Sequence, residues 1–403
     1  MRKSNRAEKL AEVARWTRDR ESTSRPELCR ELRLSAPKLA GMVRDLLRHG
    51  VLMEDGHAAS SGGRRPARLR INPDYAWAIG AELSQNRVRA AAVDLHGRIL
   101  RRQDAPYPRR QSHEALLESV RTLVDGLTDA GPEDRLIGLG VGISGIADRS
   151  RGVSVSFPAI SSWQDIPLAQ TLAGETGRHV QIQNLVRAAT LGEMRYGRAR
   201  SLRNFIYVHL GRGLGLGMVV DGRVVEGASH RAGEFGHMVI EEDGPVCYCG
   251  NYGCLESVAS LWAMVEQAKE AVSKGVRSRL DSLNADTEFS TAVSAVFQAA
   301  VQGDRLAQNL IERTSRYLGT AVANVVNLLN PEAVILGGAL ADVASGMQES
   351  LCSQVRARVL PGARQPVQFL PAALGEDAYC LGAAALEFDA LLEGTDKLLR
   401  RKL

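Results

Sequence analysis

Gly233-Glu234-Phe235-Gly236-His237, followed by Cys247-Tyr248-Cys249-Gly250-Asn251-Tyr252-Gly253-Cys254-Leu255-Glu256, is the stretch from which the rest of the chain is read. His237, Cys247, Cys249 and Cys254 supply one imidazole and three thiolates, a closed tetrahedral donor set of the kind that holds a structural Zn2+. Gly250 and Gly253 permit the tight turns that bring three sulfurs round one ion. The chain has six cysteines, and Cys29, Cys352 and Cys380 are scattered. Without a secretion signal, the clustering of the other three favours a metal site over a disulfide framework. All four positions are filled, so no open coordination site for an activated water is expected. The zinc is read as structural.

Outward from this stretch, the bulk numbers set the frame. A chain of 403 residues is too long for one ordinary core, which implies two or three domains. Hydrophobic residues make up 44% and charged residues 24%, close to a soluble globular average. No apolar run reaches the ~18 residues of a membrane span. The basic start, Met1 to Arg6, runs into an amphipathic segment and not into the apolar core of a signal peptide. A cytoplasmic protein with no membrane partner is expected. The net charge of +5 divides unevenly: residues 1–72 hold 17 Lys+Arg against 9 Asp+Glu, and the remainder 34 against 37. A basic block on a mildly acidic body points to a nucleic-acid-binding module fused to something else.

That block has its own grammar. Ser24-Arg25-Pro26-Glu27 is a helix start with a cap, a proline in the first turn and a glutamate placed to reach back. Leu28 and Leu32 give this helix an apolar face, and Leu10, Val13, Ala14 and Thr17 suggest an earlier one. Ser35 can cap a third, in which Leu39, Met42, Val43, Leu46 and Leu47 form one stripe. His49-Gly50 ends it. Val51–Glu54 and Arg68–Ile71 read as strands around an Asp55-Gly56 turn. Three short helices and a hairpin make a winged helix-turn-helix, with Arg64 and Arg65 in the Gly/Ser-rich tip of the wing. Base reading is expected near Ser35, Ala36, Lys38 and Leu39. Phosphate contacts are expected from Arg44 and Arg48, and from the wing arginines in a groove or on the backbone.

Beyond residue 72 the period changes. Strands are expected at Ala76–Leu83, Val88–Leu95, Arg98–Leu100, Ile137–Ile143 and Val180–Gln183, with helices at His113–Leu127 and Pro167–Thr176. A second set starts at Phe205–Leu210, turns through Asp221-Gly222 and ends on Val334-Ile335-Leu336. Two successive antiparallel-then-alternating β/α sets imply a two-lobed α/β protein with a cleft.

The residues now resemble a known family. The His237-to-Glu256 stretch is similar to the signature of the ROK (repressor, ORF, kinase) family. Leu210-Gly211-Arg212-Gly213-Leu214-Gly215-Leu216-Gly217 resembles its second glycine-rich loop. Ile335-Leu336-Gly337-Gly338 and Leu374-Gly375-Glu376-Asp377 resemble its carboxy-terminal motifs. The likeness spans about Ile79 to Leu386, and the attached winged helix is typical of the repressor branch. It implies an α/β fold in which a winged helix-turn-helix precedes a two-lobed, actin-like (ribonuclease-H-like) ATPase fold. The expected domains are 1–72 for the DNA-binding head, 73–183 for the first lobe, completed by a helix at about 384–403, and 184–383 for the second lobe with the zinc site.

By the same resemblance, Asn184, Glu234, His237 and Glu256 match positions that hydrogen-bond sugar hydroxyls, a task their carboxylate, amide and imidazole groups suit. Gly142-Ile143-Ser144-Gly145 and Phe157-Pro158-Ala159-Ile160 also match sugar-facing positions, in wording that departs from the commoner kinase form. The catalytic positions fare worse. Family kinases place an aspartate general base after the asparagine; here Leu185 stands there, and such a base typically supplies ~10²–10⁴-fold in rate. The first phosphate loop, Asp-x-Gly-Gly-Thr in kinases, reads Glu82-Leu83-Ser84-Gln85-Asn86, so both glycines that let backbone N–H groups approach phosphate are gone. Arg212 replaces a usual threonine, although an arginine there still suits an anion. The expectation is a ligand-controlled repressor. It binds a double-stranded operator as a homodimer or dimer of dimers, with a sugar or sugar phosphate as effector. Two alternatives stay open: a ROK sugar kinase with a DNA-binding appendage, and a regulator controlled by a protein partner.

Overall fold

In the computed structural model the described residues are 2–20, 22–57, 67–85, 87–106, 112–158, 160, 162–342, 345–361, 367–393 and 398. They divide into two compact units, residues 1–200 with 377–403, and residues 201–376. None of the described helices is long and apolar enough to cross a membrane.

The first unit opens with α1 (Arg2–Arg18), β1 (Thr23–Ser24), α2 (Arg25–Glu31), α3 (Ala36–Arg48), β2 (Leu52–His57) and β3 (Ala67–Ile71). The expected capping box at α2 is present: Ser24 Oγ accepts from the Glu27 N–H, and Glu27 Oε2 accepts from the Ser24 N–H at 2.8 Å. Ser35 precedes α3 in extended backbone, but its side chain makes no cap bond. Leu10, Val13, Leu28, Met42, Val43 and Leu46 are buried together with Leu69 and Ile71, so the helices close over the wing sheet, whose strand order is β1-β3-β2. The tip of the wing, with Arg64 and Arg65, lies outside the described residues.

The chain continues as β4 (Trp77–Leu83), β5 (Arg87–Asp94), β6 (Ile99–Pro106), α4 (His113–Asp125), β7 (Leu136–Ile143), β8 (Ile146–Asp148), β9 (Val153–Ser156), β10 (Gln164–Ile166), α5 (Leu168–Thr176), β11 (Val180–Asn184) and α6 (Leu185–Arg195). The main sheet runs β11-β7-β4-β5-β6: an antiparallel meander, β4 to β6, with two parallel strands added on the β4 side. Strands β4 and β7 are buried along almost their whole length, which matches their continuous apolar runs.

The second unit repeats this plan. It comprises β12 (Phe205–Leu210), β13 (Leu214–Val220), β14 (Arg223–Val224), α7 (Leu255–Ala259), α8 (Leu261–Ser273), α9 (Phe289–Val301), α10 (Arg305–Leu329), β15 (Ala333–Gly338), α11 (Ala339–Asp342), α12 (Ser345–Arg356) and β16 (Gln368–Pro371). Its sheet runs β14-β13-β12-β15-β16, again a meander followed by parallel strands. The last helix, α13 (Asp377–Glu393), returns to the first unit.

The contacts therefore divide the chain after Arg200, whereas the sequence reading placed the lobe boundary after residue 183. Helix α6 stays with the first unit because it lies directly on α13. A Cβ at Gly382 would collide with the Ala188 carbonyl, and Gly80 and Gly140 let α13 lie as closely on β4 and β7. Helix α13 also starts at Asp377, ahead of the expected residue 384.

The head is bound into this unit as well. Arg18, at the end of α1, reaches Asp389 of α13 at 2.5 Å and Asp19 at 2.9 Å. Arg195, at the end of α6, reaches Asp19 at 3.2 Å and Asp389 at 3.0 Å. Two arginines and two aspartates thus close a neutral ring, in which only 3% of the Arg18 side chain is exposed. Burial disfavours the Asp389 anion, but the two guanidiniums outweigh it and hold its pKa below the usual value. The Tyr75 hydroxyl donates to the Leu398 carbonyl at 2.6 Å, a further tie at the head's edge.

Removing one partner of such a ring leaves an uncompensated buried charge, which costs about 3–5 kcal/mol. Asp389→Ala should therefore lower unfolding stability by about that amount in urea at pH 7. The folded pKa of Asp389 lies below its unfolded value, about 3.9. Its contribution is then complete above that value and fades as pH falls through the folded pKa. The gap between wild type and Asp389→Asn should narrow on going from pH 7 to pH 3; a constant gap would contradict this assignment.

Candidate functional site

The helix that would face DNA is α3. Ser35, Ala36, Lys38, Arg44 and Arg48 are exposed, and they form the side of the helix opposite Met42, Val43 and Leu46. Leu39 is a correction to the sequence reading: it is 1% exposed and packs in the head's own core, so its side chain has no surface left for a base edge. Asp45, the one acidic residue of α3, is paired with Arg6 of α1 at 2.5 Å, which leaves the net field of this side positive. Arg25 at the start of α2 pairs with Glu54 in the wing at 3.0 Å, both side chains being exposed.

In the second unit, the 3₁₀ turn Phe235–His237 and the loop before α7 bring the four expected donors together. The donor atoms of His237, Cys247, Cys249 and Cys254 all lie within 4.8 Å of one another. The spacings from Cys247 Sγ to His237 Nδ1 and from Cys249 Sγ to Cys254 Sγ are both 3.7 Å. A tetrahedron with metal–sulfur bonds of about 2.3 Å has edges of about 3.8 Å, so the set fits one such ion. The backbone builds this knuckle before any ion is considered. The Cys247 N–H donates to the Asn251 carbonyl at 2.8 Å, and the Gly253 N–H to the Pro245 carbonyl at 2.9 Å. Val239 bridges Cys254 and Val246 bridges Tyr252 as antiparallel pairs. Burial raises the thiol pKa of Cys247, and that of Cys254 is pushed up to about 12 by burial and the neighbouring thiols; a backbone N–H from Asn251 lowers that of Cys249. A cation held here displaces those protons.

Glu256 follows on α7, and its Oε2 accepts the Leu214 N–H at 2.7 Å, which ties the knuckle to the loop between β12 and β13. Burial raises its carboxyl pKa despite this bond and the nearby His237. Glu234 precedes the 3₁₀ turn and is half-buried. Asn184 stands at the start of α6 in the first unit. Its Oδ1 accepts from the Val186 and Arg187 N–H groups, and its Nδ2 donates to the Gly145 carbonyl at 2.8 Å. Much of the amide's capacity is committed to that cap.

The kinase-like positions are filled in a different sense. Leu185 is 9% exposed and packs beneath Gly142. Arg212 in the second glycine loop folds onto Trp262, 4.1 Å from its ring centroid, and Phe289, 5.2 Å away. Beside that loop and Gly338 lies His209, whose imidazole pKa is held down to about 4 by burial, so it is neutral at pH 7. The sequence reading missed Tyr248. Its place between two ligand cysteines was visible, but nothing in the pattern said where its hydroxyl turns: it lies 3.0 Å from His237 Nε2.

Paired meander-plus-parallel sheets with a His/Cys₃ knuckle on the second unit define a ROK-type domain, here carrying a winged helix-turn-helix in front. The chain belongs to the ROK family, whose profile, described as "ROK family", matches residues 78–389. A putative xylose repressor of Caldicellulosiruptor sp. (strain Rt8B.4) is 30% identical over 380 residues, 94% of each chain. A glucokinase of Halalkalibacterium halodurans is 30% identical over 313 residues, 77% of this chain and 94% of that protein. A solved structure described as a ROK family transcriptional regulator, homologous to the E. coli MLC protein, superposes with a TM-score of 0.81 at 26% identity, covering 98% of each chain.

Gly253 sits at φ +63°, and a Cβ there would strike the Glu241 carbonyl, whereas Gly250 at φ +91° faces open space. Gly253→Ala should cost more than the about 1–2 kcal/mol of left-handed strain alone, and Gly250→Ala no more than that. Thermal unfolding of the two variants checks the order; equal losses would mean that the knuckle backbone is not packed as described.

Proposed function

We propose that this chain is a sugar-responsive, DNA-binding transcriptional regulator that represses genes of carbohydrate metabolism and carries no kinase activity. One observation carries the reading: a winged helix-turn-helix head is joined to a ROK domain whose general-base position is Leu185. The likeness to the putative xylose repressor runs through both parts, over 94% of each chain.

In this reading the exposed start of α3, Ser35, Ala36 and Lys38, meets base edges in the major groove, and Arg44 and Arg48 neutralise phosphates. Arg64 and Arg65 contribute from the wing. The protein acts as a homodimer, or a dimer of dimers, on related half-sites of a double-stranded operator. His237, Cys247, Cys249 and Cys254 hold one structural Zn2+, which ties the turn at 235–237 to the start of α7. The effector is a sugar or sugar phosphate, whose hydroxyls meet Glu234, His237 and Glu256. It releases the operator by binding the two states of the protein with different affinity. Arg212, where the kinases carry a threonine, is stacked on Trp262 and Phe289.

Two measurements test the two halves of this reading. Duplex DNA from upstream of the protein's own gene should bind with a Kd of about 10⁻⁸ M or tighter at physiological salt. Arg44→Ala and Arg48→Ala should each weaken that binding and lower the salt slope by about one. A coupled assay with ATP and D-glucose or D-xylose should release no ADP above background. Sugar-dependent ADP release would overturn the claim of lost kinase activity, and absence of sequence-specific binding would overturn the regulator.

The metal is checked separately. Purified protein should contain about one zinc per chain, and Cys254→Ser should lose both the zinc and part of the thermal stability. Zinc-free protein with unchanged stability would contradict a structural ion.

A further inference from the structure

The hydroxyl of Tyr248 is placed in a way that neither the metal nor the fold requires. The residue is 70% exposed, yet its phenol turns inward to His237 Nε2 at 3.0 Å, and its ring meets the imidazole edge-on at 5.2 Å. The Glu256 carboxylate, which accepts the Leu214 N–H at 2.7 Å, lies near the same hydroxyl. In the tautomer that protonates Nε2, the phenol oxygen accepts from that N–H and its own O–H is left for the Glu256 side. That choice leaves the lone pair of Nδ1 facing the sulfurs, since Cys247 Sγ is 3.7 Å from it. The pair Nε2–H and carboxylate therefore recognises any group that accepts on one side and donates on the other. A sugar hydroxyl does both; a carbonyl, an ammonium or an unprotonated phosphate oxygen does not.

From this geometry we infer that Tyr248 is a specificity-determining residue of the effector site, its hydroxyl competing with an effector hydroxyl for His237. The inference rests on the sugar-effector reading above. A sugar that brings a hydroxyl to His237 and Glu256 displaces the phenol, and the hydrogen bond to His237 is remade to the ligand. The exchange leaves the Nδ1 lone pair on the metal side. It also selects sugars with a hydroxyl in the matching place, because any other ligand leaves His237 without the partner that Tyr248 gave it. The residue lies between Cys247 and Cys249, so its displacement acts on the knuckle itself.

Calorimetry of zinc-loaded wild type and Tyr248→Phe with D-xylose, D-glucose and D-glucose 6-phosphate tests this, with zinc content measured on both. The phenylalanine keeps the ring and removes the competing hydroxyl, so the sugar that binds wild type should bind the variant about tenfold more tightly, the net worth of one hydrogen bond. A purely structural tyrosine would give unchanged or weaker binding, and that result overturns the proposal while leaving the sugar reading intact. If the variant loses zinc, wild-type protein with 3-fluorotyrosine at position 248 decides the matter: its ¹⁹F resonance should move when the sugar saturates the site. An unmoved resonance with sugar bound overturns the proposal. If none of the three sugars binds either protein, the sugar reading fails and the proposal falls with it.

Discussion

The ring of Arg18, Asp19, Arg195 and Asp389 is the interaction on which the first unit depends. It joins the ends of α1, α6 and α13, three elements from widely separated parts of the sequence. Four charges taken from water offer little net stability compared with apolar packing, but they pair fully in only one arrangement. The ring therefore fixes how the DNA-facing head lies on its neighbours. The head is part of this unit and not a loosely tethered appendage. Helix α6, packed on α13 along its length, runs from Asn184 at one end to Arg195 at the other.

A second constraint organises the other unit. The knuckle is held by backbone bonds at Cys247, Gly250 and Gly253, and Glu256 reaches from it to the Leu214 N–H beside the glycine loop. In the proposed reading, Glu234, His237 and Glu256 are side chains suited to hydrogen-bonding hydroxyls. Leu185 cannot take a proton, and Arg212 is stacked on two aromatic rings. In the proposed reading that contrast, more than the fold, separates recognition from catalysis.

Much of this was legible in the chain because it is local. The capping box at Ser24 and Glu27, the stripe of α3 and the spacing of the cysteines are all encoded within a few residues. What was not legible depends on residues far apart. The boundary after Arg200 follows from glycines that let α6 and α13 touch, and sequence spacing carries no sign of that contact. The ring pairs Arg18 with Asp389, to which no periodicity points. The small sheet β10-β9-β8 is built from strands too short to show alternation. Leu39 lies at the start of α3, where base contacts are expected, and also on its apolar stripe; burial assigns it to the stripe. Tyr248 was visible as a residue, but its hydroxyl turns to His237, eleven residues back in the chain, which no local pattern shows.

The account stands on the claim that one chain reads an operator and a sugar at once, and linkage makes that claim reciprocal. Fluorescence anisotropy of an operator duplex, titrated with purified wild-type protein at fixed salt across sugars and sugar phosphates, tests it most directly. The account predicts that one of these ligands weakens operator binding by about tenfold or more while the rest leave it alone. Tight, salt-sensitive operator binding that no sugar or sugar phosphate changes would contradict it.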